Sequence, residues 1–219
     1  QDSTAGLVLA KSAVSEVTHL PLHFATVLDF STFAKAIDLV GGVDVSVEHA
    51  LDDYQYPIPG RENDLCDGDP EYACRYEHIS FKAGQVHMDG VMALKFARSR
   101  MAVGDEGTDF ARSARQALVI QAFKSRLLSP QIVNHPGIYL DLYRLLTSSV
   151  VTDIDSKYYY PLFSLALKAK NTDPIFRALS EPDQLYHPPS SPKYGNQWIL
   201  LPKNNDPQVI YDYVSGLLN

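Results

Sequence analysis

Between Ala97 and Gln116 the chain reads ARSRMAVGDEGTDFARSARQ, and four of its nine arginines fall there with no lysine among them. Guanidinium groups stay charged at any working pH and grip phosphate oxygens through paired, parallel hydrogen bonds. Arg98 and Arg100 are separated by one residue; Arg112 and Arg115 follow further on, flanked by Asp109 and Gln116. On a helix starting near residue 109, Asp109, Arg112, Arg115 and Gln116 project within roughly a third of the circumference. Phe110, Ala114 and Leu118 take the opposite side and are expected to pack inward. Backbone N–H groups at that helix start add to the positive field. Two adjacent phosphates, as in a pyrophosphate, would use such a cluster well, and Asp109 can steer an arginine or help hold a divalent cation. The competing reading is a set of surface ion pairs with Asp105, Glu106 and Asp109, which contribute little to stability.

Composition narrows the ligand. A net charge of −7 and a pI near 5.4 exclude general nucleic-acid binding, so any anion site has to be local. With 45% hydrophobic and 21% charged residues, the 219-residue chain is an ordinary globular protein. No apolar run is long enough to span a bilayer. The sequence starts without Met or a secretion signal, compatible with a processed chain whose membrane anchor lies upstream. Cys66 and Cys74 sit eight positions apart in an Asp-, Gly- and Pro-rich stretch. They read as a disulfide stapling that stretch in an extracytoplasmic protein, or as two free thiols in a reducing compartment. Phosphate-loop, serine-elbow and His-Glu-x-x-His motifs are missing, and Pro21 between His19 and His23 argues against a zinc pair there.

The elements that would carry the arginines follow from pattern. After an opening helical run, Leu22 to Phe30 reads as a buried strand. STFAKAIDLVGG is a helix with Ser31 as N-cap and Gly41–Gly42 as its stop. Val43 to Val47 alternates as a strand, and residues 48 to 80 form a long polar loop with the cysteines. A turn is expected at Gly84, then a helix from Asp89 to about Arg98 that aims Val91, Leu94 and Phe96 at the core. MAVGDEG is a flexible link that can fold Arg98 and Arg100 back toward the next helix, from Thr108 or Asp109 to about Leu128. Helices over GIYLDLYRLLTSSV and DSKYYYPLFSLALKAK, a strand over QWILLPK and a last helix with Pro207 in its first turn complete the chain. Glu181 to Gly195 is a proline-rich surface loop. Strands alternating with helices indicate α/β layers.

At VLDFSTFAKAIDLVGGVDVSV, FKAGQVHMDGVMALKFARSR and GTDFARSARQ the sequence resembles the LytR–CpsA–Psr family of cell-wall phosphotransferases, in order and spacing over roughly residues 14 to 128. Residues 129 to 219 resemble the less distinctive remainder of the same domain. The resemblance implies one domain over 1–219, a three-layer α/β/α sandwich with a central mixed sheet and an apolar pocket for a polyprenyl chain. It implies transfer of a glycan phosphate from a polyprenyl-pyrophosphate carrier onto peptidoglycan or a related wall acceptor, with Mg2+. Arg98, Arg100, Arg112 and Arg115 match the family's pyrophosphate-binding arginines, Gln116 its head-group glutamine and Asp109 an acid of its site, with Asp109 and Arg112 as catalytic candidates. The family's metal-binding carboxylates and a further arginine belong to strands upstream of the first residue here, so the metal ligands are expected mostly outside this chain, in an upstream part or a separate N-terminal chain. The rival readings are a non-catalytic module that binds a polyprenyl phosphate or glycan, and a glycoside hydrolase built on paired carboxylates.

Overall fold

In a computed structural model the described residues are 3–172 and 175–218. The first half runs α1 (Ser3–Thr18), β1 (Thr26–Leu28), α2 (Phe30–Leu39), β2 (Val43–Val47), β3 (Leu51–Pro57), β4 (Tyr76–Phe81), β5 (Gly84–Met88) and α3 (Gly90–Arg98). Then come α4 (Asp109–Leu127), α5 (Pro130–Val133), α6 (Pro136–Ser149), β6 (Val150–Thr152), α7 (Tyr159–Lys168), β7 (Leu185–Tyr186), β8 (Leu201–Pro202) and α8 (Gln208–Gly216). The fold is α/β. Its described strands pair two by two, β1 with β6, β2 with β5, β3 with β4 and β7 with β8, so the single central sheet expected above is represented by separate ladders. No described helix is long and apolar enough to cross a membrane.

The chain divides into two compact units that interleave in sequence. One comprises Leu28–Val150 with Leu167–Phe176 and contains the whole arginine region; the other comprises Gln1–Val27, Val151–Ala166 and Arg177–Asn219. The expected division at residue 128 falls inside the first of these.

In the arginine-bearing unit, β2 alternates as its sequence predicts, with Val43, Val45 and Val47 buried and Asp44 and Ser46 outward. It pairs antiparallel with β5, Val43 opposite Met88 and Val47 opposite Gly84. Around this ladder Ile37, Val40, Leu51, Phe81, Phe96 and Val119 form the core, with Phe81 and Phe96 edge to face at 5.2 Å. The N-cap of α2 is Asp29, two residues ahead of the expected Ser31. Its carboxylate accepts from Thr32 N at 2.6 Å and from the Ser31 hydroxyl at 2.9 Å. The Thr32 backbone bond, then the Ser31 hydroxyl, holds the Asp29 carboxyl below its ordinary range. Ser31 thus serves the cap as a donor to it. The helix stops at Gly41 and Gly42, both left-handed.

Gly90 decides how closely α3 approaches α2. A Cβ there would stand 2.1 Å from the Ala34 carbonyl oxygen, so only glycine fits. The Gly90 N–H then reaches Asp38 Oδ1 at 2.7 Å, and Asp89 caps α3 through Met92 N. Phe96 and Ala93 are buried as the core face of α3, whereas Val91, expected inward, is exposed. The polar stretch 48–80 is largely a hairpin, β3 against β4 with Leu51 opposite Phe81. The apolar residues Leu51, Tyr56, Ile79 and Phe81 are spaced among many acids, and their burial supplies the register. The Cys66–Cys74 disulfide closes the hairpin's far end, with Cα atoms 5.5 Å apart.

In the other unit α1 and α8 pack together, with Leu7 and Ile210 buried, the His19 ring against Tyr211 at 4.3 Å and the Tyr211 hydroxyl on the Glu16 carbonyl. Lys11 pairs with Asp153, whose other oxygen accepts from Ala25 N at 2.7 Å. The expected strands over 22–30 and 197–203 shrink to β1 and β8.

Candidate functional site: an arginine cluster between two helices

α3 ends at Arg98 and α4 starts at Asp109, and the connection between them is built rather than loose. Its residues Gly104–Gly107 form a 3-10 turn. Gly107 packs so tightly that a Cβ would lie 2.4 Å from the Ala102 carbonyl oxygen. Ala102 bridges to Asp53 of β3, and Val103 N donates to the Asp52 carbonyl at 2.8 Å. The link expected to be flexible is therefore pinned to the hairpin by an isolated bridge and closed by the 3-10 turn.

Thr108 caps α4, its hydroxyl accepting from Ala111 N at 3.1 Å. That places Asp109 in the first turn, where a carboxylate opposes the helix dipole favourably. Asp109 Oδ1 meets Arg112 at 3.1 Å and Arg100 at 3.5 Å. One carboxylate oxygen thereby gathers two arginines from opposite sides of the connection and leaves Oδ2 outside both pairs. Arg98 sits over the Phe30 ring, its guanidinium carbon 3.9 Å from the centroid. A guanidinium held over a ring face stays charged and keeps N–H donors for a ligand. Arg100 and Arg112 set two guanidinium groups against the single Asp109 carboxylate, and Arg98 forms no ion pair with Asp109. The excess is positive in an otherwise acidic protein.

Gln116 reaches back to α3 through its Nε2, 3.3 Å from the Ala97 carbonyl. Arg115 departs from the expected role of direct ligand. Its side chain is 3% exposed and lies among backbone carbonyls. It donates to Phe96 O at 3.0 Å, Ser99 O at 2.7 Å, Glu106 O at 2.8 Å and Glu106 Oε2 at 2.6 Å. Four of the five guanidinium donors are spent inside the protein. The inward face of α4 is accordingly rotated by roughly a third of a turn from the one expected, since Arg115 and Val119 are buried while Ala114 is exposed. The signal was present: Val119, Ala122, Phe123 and Leu127 mark an apolar stripe, and four residues back along it stands Arg115.

Sequence reasoning missed Phe30, Ser99 and Asp53 as parts of the site; Glu106, expected as an ion-pair partner of the arginines, does pair with Arg115. Asp53 is 1% exposed and accepts from Ser99 Oγ at 2.7 Å, from Gln55 N at 2.9 Å and from Met101 N at 3.3 Å. Beside the cluster a pocket of about 220 Å³ is lined by Val47, Phe96, Ala111, Ala114 and Leu118 with Glu48, His49, Glu106 and Arg115. Sites for drug-sized ligands run to roughly 300–1,000 Å³. This pocket is too small for the polyprenyl chain that the resemblance implied. Among the described residues, the group of metal-capable side chains that comes together is Asp64, Cys66 and Cys74, and its two sulfurs are tied up in the disulfide.

The model of the LytR_cpsA_psr family matches residues 2–176. The chain belongs to that family. Among curated relatives it is 28% identical over 170 residues to the polyisoprenyl-teichoic acid–peptidoglycan teichoic acid transferase TagU of Oceanobacillus iheyensis. That match covers 78% of this chain and 44% of the relative. To TagV of Bacillus subtilis, a transferase of the same description, it is 29% identical over 53% of this chain and 25% of the relative. The chain therefore spans less than half the length of these relatives. The crystal structure of B. subtilis TagV superimposes with a TM-score of 0.59, covering 95% of this chain and 68% of that one at 21% identity. The fold is thus shared with a family member although few residues are.

Proposed function

We propose that this chain carries the diphosphate-binding part of an extracytoplasmic transferase that moves a glycan phosphate from a polyprenyl-diphosphate carrier onto peptidoglycan or a related wall polymer. The observation that carries the reading is the pairing of Arg100 and Arg112 with one oxygen of Asp109 at the N-terminus of α4, with Arg98, two residues before Arg100, over the Phe30 ring. The names of the relatives supply the carrier and acceptor classes.

Phosphoryl transfer needs charge neutralisation and alignment more than a strong nucleophile. In this reading Arg98, Arg100 and Arg112 bind the diphosphate oxygens, and Gln116, at the same helix junction, orients the head group. The acceptor hydroxyl attacks the phosphorus that bears the glycan, and the bond to the polyprenyl phosphate breaks. The hydroxyl proton goes to a carboxylate, for which Asp109 Oδ2 is placed. Magnesium would add Lewis-acid neutralisation of the phosphate charge. Mg2+ commonly takes one or two protein carboxylates and completes its shell with phosphates and water. With Asp109 taking the proton, those carboxylates would come from outside the arginine cluster. The polyprenyl chain, the wall acceptor and a membrane attachment belong to the same proposal.

The test is native mass spectrometry of the gently purified chain, alone and with added polyprenyl diphosphate, followed by a transfer assay. Lipid of the right mass that is lost in Arg98→Ala and Arg112→Ala, with transfer reduced at least about a hundredfold and little change in Tm, is the expected result. Unchanged lipid binding in both variants would leave the arginines as surface ion pairs.

A further inference from the structure

Ser99, the residue between Arg98 and Arg100, has no exposed surface. Two buried groups of opposite charge hold it from two sides. Its hydroxyl donates to Asp53 Oδ2 at 2.7 Å, and its carbonyl accepts from the Arg115 guanidinium, also at 2.7 Å. The neighbouring backbone is held in the same way. Arg115 takes the Phe96 carbonyl, Gln116 the Ala97 carbonyl, and Asp53 the Met101 N–H. From Phe96 to Met101 the main chain has little freedom left. Arg98 and Arg100 leave this segment on either side of Ser99, one onto Phe30 and the other onto Asp109.

Stability does not explain the arrangement. Burying a carboxylate and a guanidinium costs more than their attraction usually returns, and well-packed apolar replacements are often as stable. What buried charges supply is direction: each accepts or donates along fixed lines, so a backbone bonded to both cannot slide. Arg98 closes α3, and Ser99, its C-cap at φ −50° and ψ 131°, carries the chain out of the helix to Arg100. Holding that one residue fixes the directions in which the two neighbouring guanidinium groups leave the backbone.

We propose that Asp53, Ser99 and Arg115 form a clamp that sets the spacing and direction of Arg98 and Arg100 so that the two together take both phosphates of one lipid diphosphate. Asp53 and Arg115 are positioning residues, acting through Ser99. The inference rests on the diphosphate reading above and adds to it a structural source of selectivity for diphosphate over monophosphate.

The experiment titrates the intact chain with geranylgeranyl diphosphate and geranylgeranyl monophosphate by calorimetry, with thermal unfolding to identify folded variants. Ser99→Ala removes only the hydroxyl; Asp53→Asn keeps the shape but turns one acceptor oxygen into a donor. Either variant, once folded, is sufficient. Each is expected to weaken diphosphate binding by about tenfold or more and monophosphate binding by less than about threefold, because one phosphate needs only part of the arginine set. If wild type prefers the diphosphate and the folded variants keep that preference, or lose both ligands equally, the clamp is overturned while the diphosphate reading stands. Wild type that binds neither lipid overturns both.

Discussion

Asp109 is the residue on which two roles meet, and substitution separates them. Its Oδ1 gathers Arg100 and Arg112, and in the proposed reading the same carboxylate takes the acceptor's proton. Asp109→Asn keeps an oxygen at the gathering position and removes the negative charge. Diphosphate binding is then expected to tighten by a few-fold, since about 4 kcal/mol of near-surface charge interaction at contact distance is largely screened. Transfer should slow by roughly a hundredfold through loss of the proton acceptor. Calorimetry and a kcat measurement read the two effects; equal losses in both would remove the division of labour. At this scale the sequence made the pairing of Asp109 with Arg112 legible, since residues three apart on a helix are neighbours. It misled for Arg115. An arginine on an apolar stripe is buried only if carbonyls are waiting for it, and those of Phe96, Ser99 and Glu106 come from residues 9 to 19 positions away, invisible to helical periodicity.

The elements that hold the cluster were legible wherever a cap or an alternation announced them: Asp89 before α3, Thr108 before α4, and the valines of β2. The hairpin of β3 and β4 was not, since its apolar residues are diluted by Asp, Gln and Glu and its two strands are joined through eighteen intervening residues. Yet this hairpin supplies Asp53 to the site and Tyr56 to the core. Tyr56 is 4% exposed, and burial raises its phenol above the ordinary value of 10.0. A folded-state pKa above the unfolded one means the folded protein holds its proton longer. The stability it contributes is complete below pH 10.0 and declines as the pH rises toward the raised folded value. Tyr56→Phe should therefore flatten the alkaline limb of a stability–pH profile measured by urea unfolding, relative to wild type. An unchanged limb would place the alkaline loss on other groups.

For the whole molecule the decisive contrast is between a net charge of −7 and a cluster in which the guanidinium groups of Arg100 and Arg112 outnumber the one carboxylate they share. The two fields have opposite consequences for an anionic lipid, and salt tells them apart. At about 0.1 M salt the Debye length is about 10 Å, so distant acids are already screened while groups in contact with the ligand are much less so. If the local cluster governs binding, raising NaCl from about 0.05 M to about 0.5 M should weaken diphosphate affinity by roughly an order of magnitude, as competing ions screen short-range attraction. If the overall charge governs, screening relieves repulsion and affinity rises over the same range. The acidic surface then has a use of its own. It turns polyanions away from everywhere except the helix junction, so that a lipid-linked phosphate finds one productive address. A calorimetric salt series on wild type and on Arg98→Ala with Arg112→Ala separates these cases, because the double variant keeps the acidic surface and loses the cluster: its residual binding should strengthen with salt where that of wild type weakens.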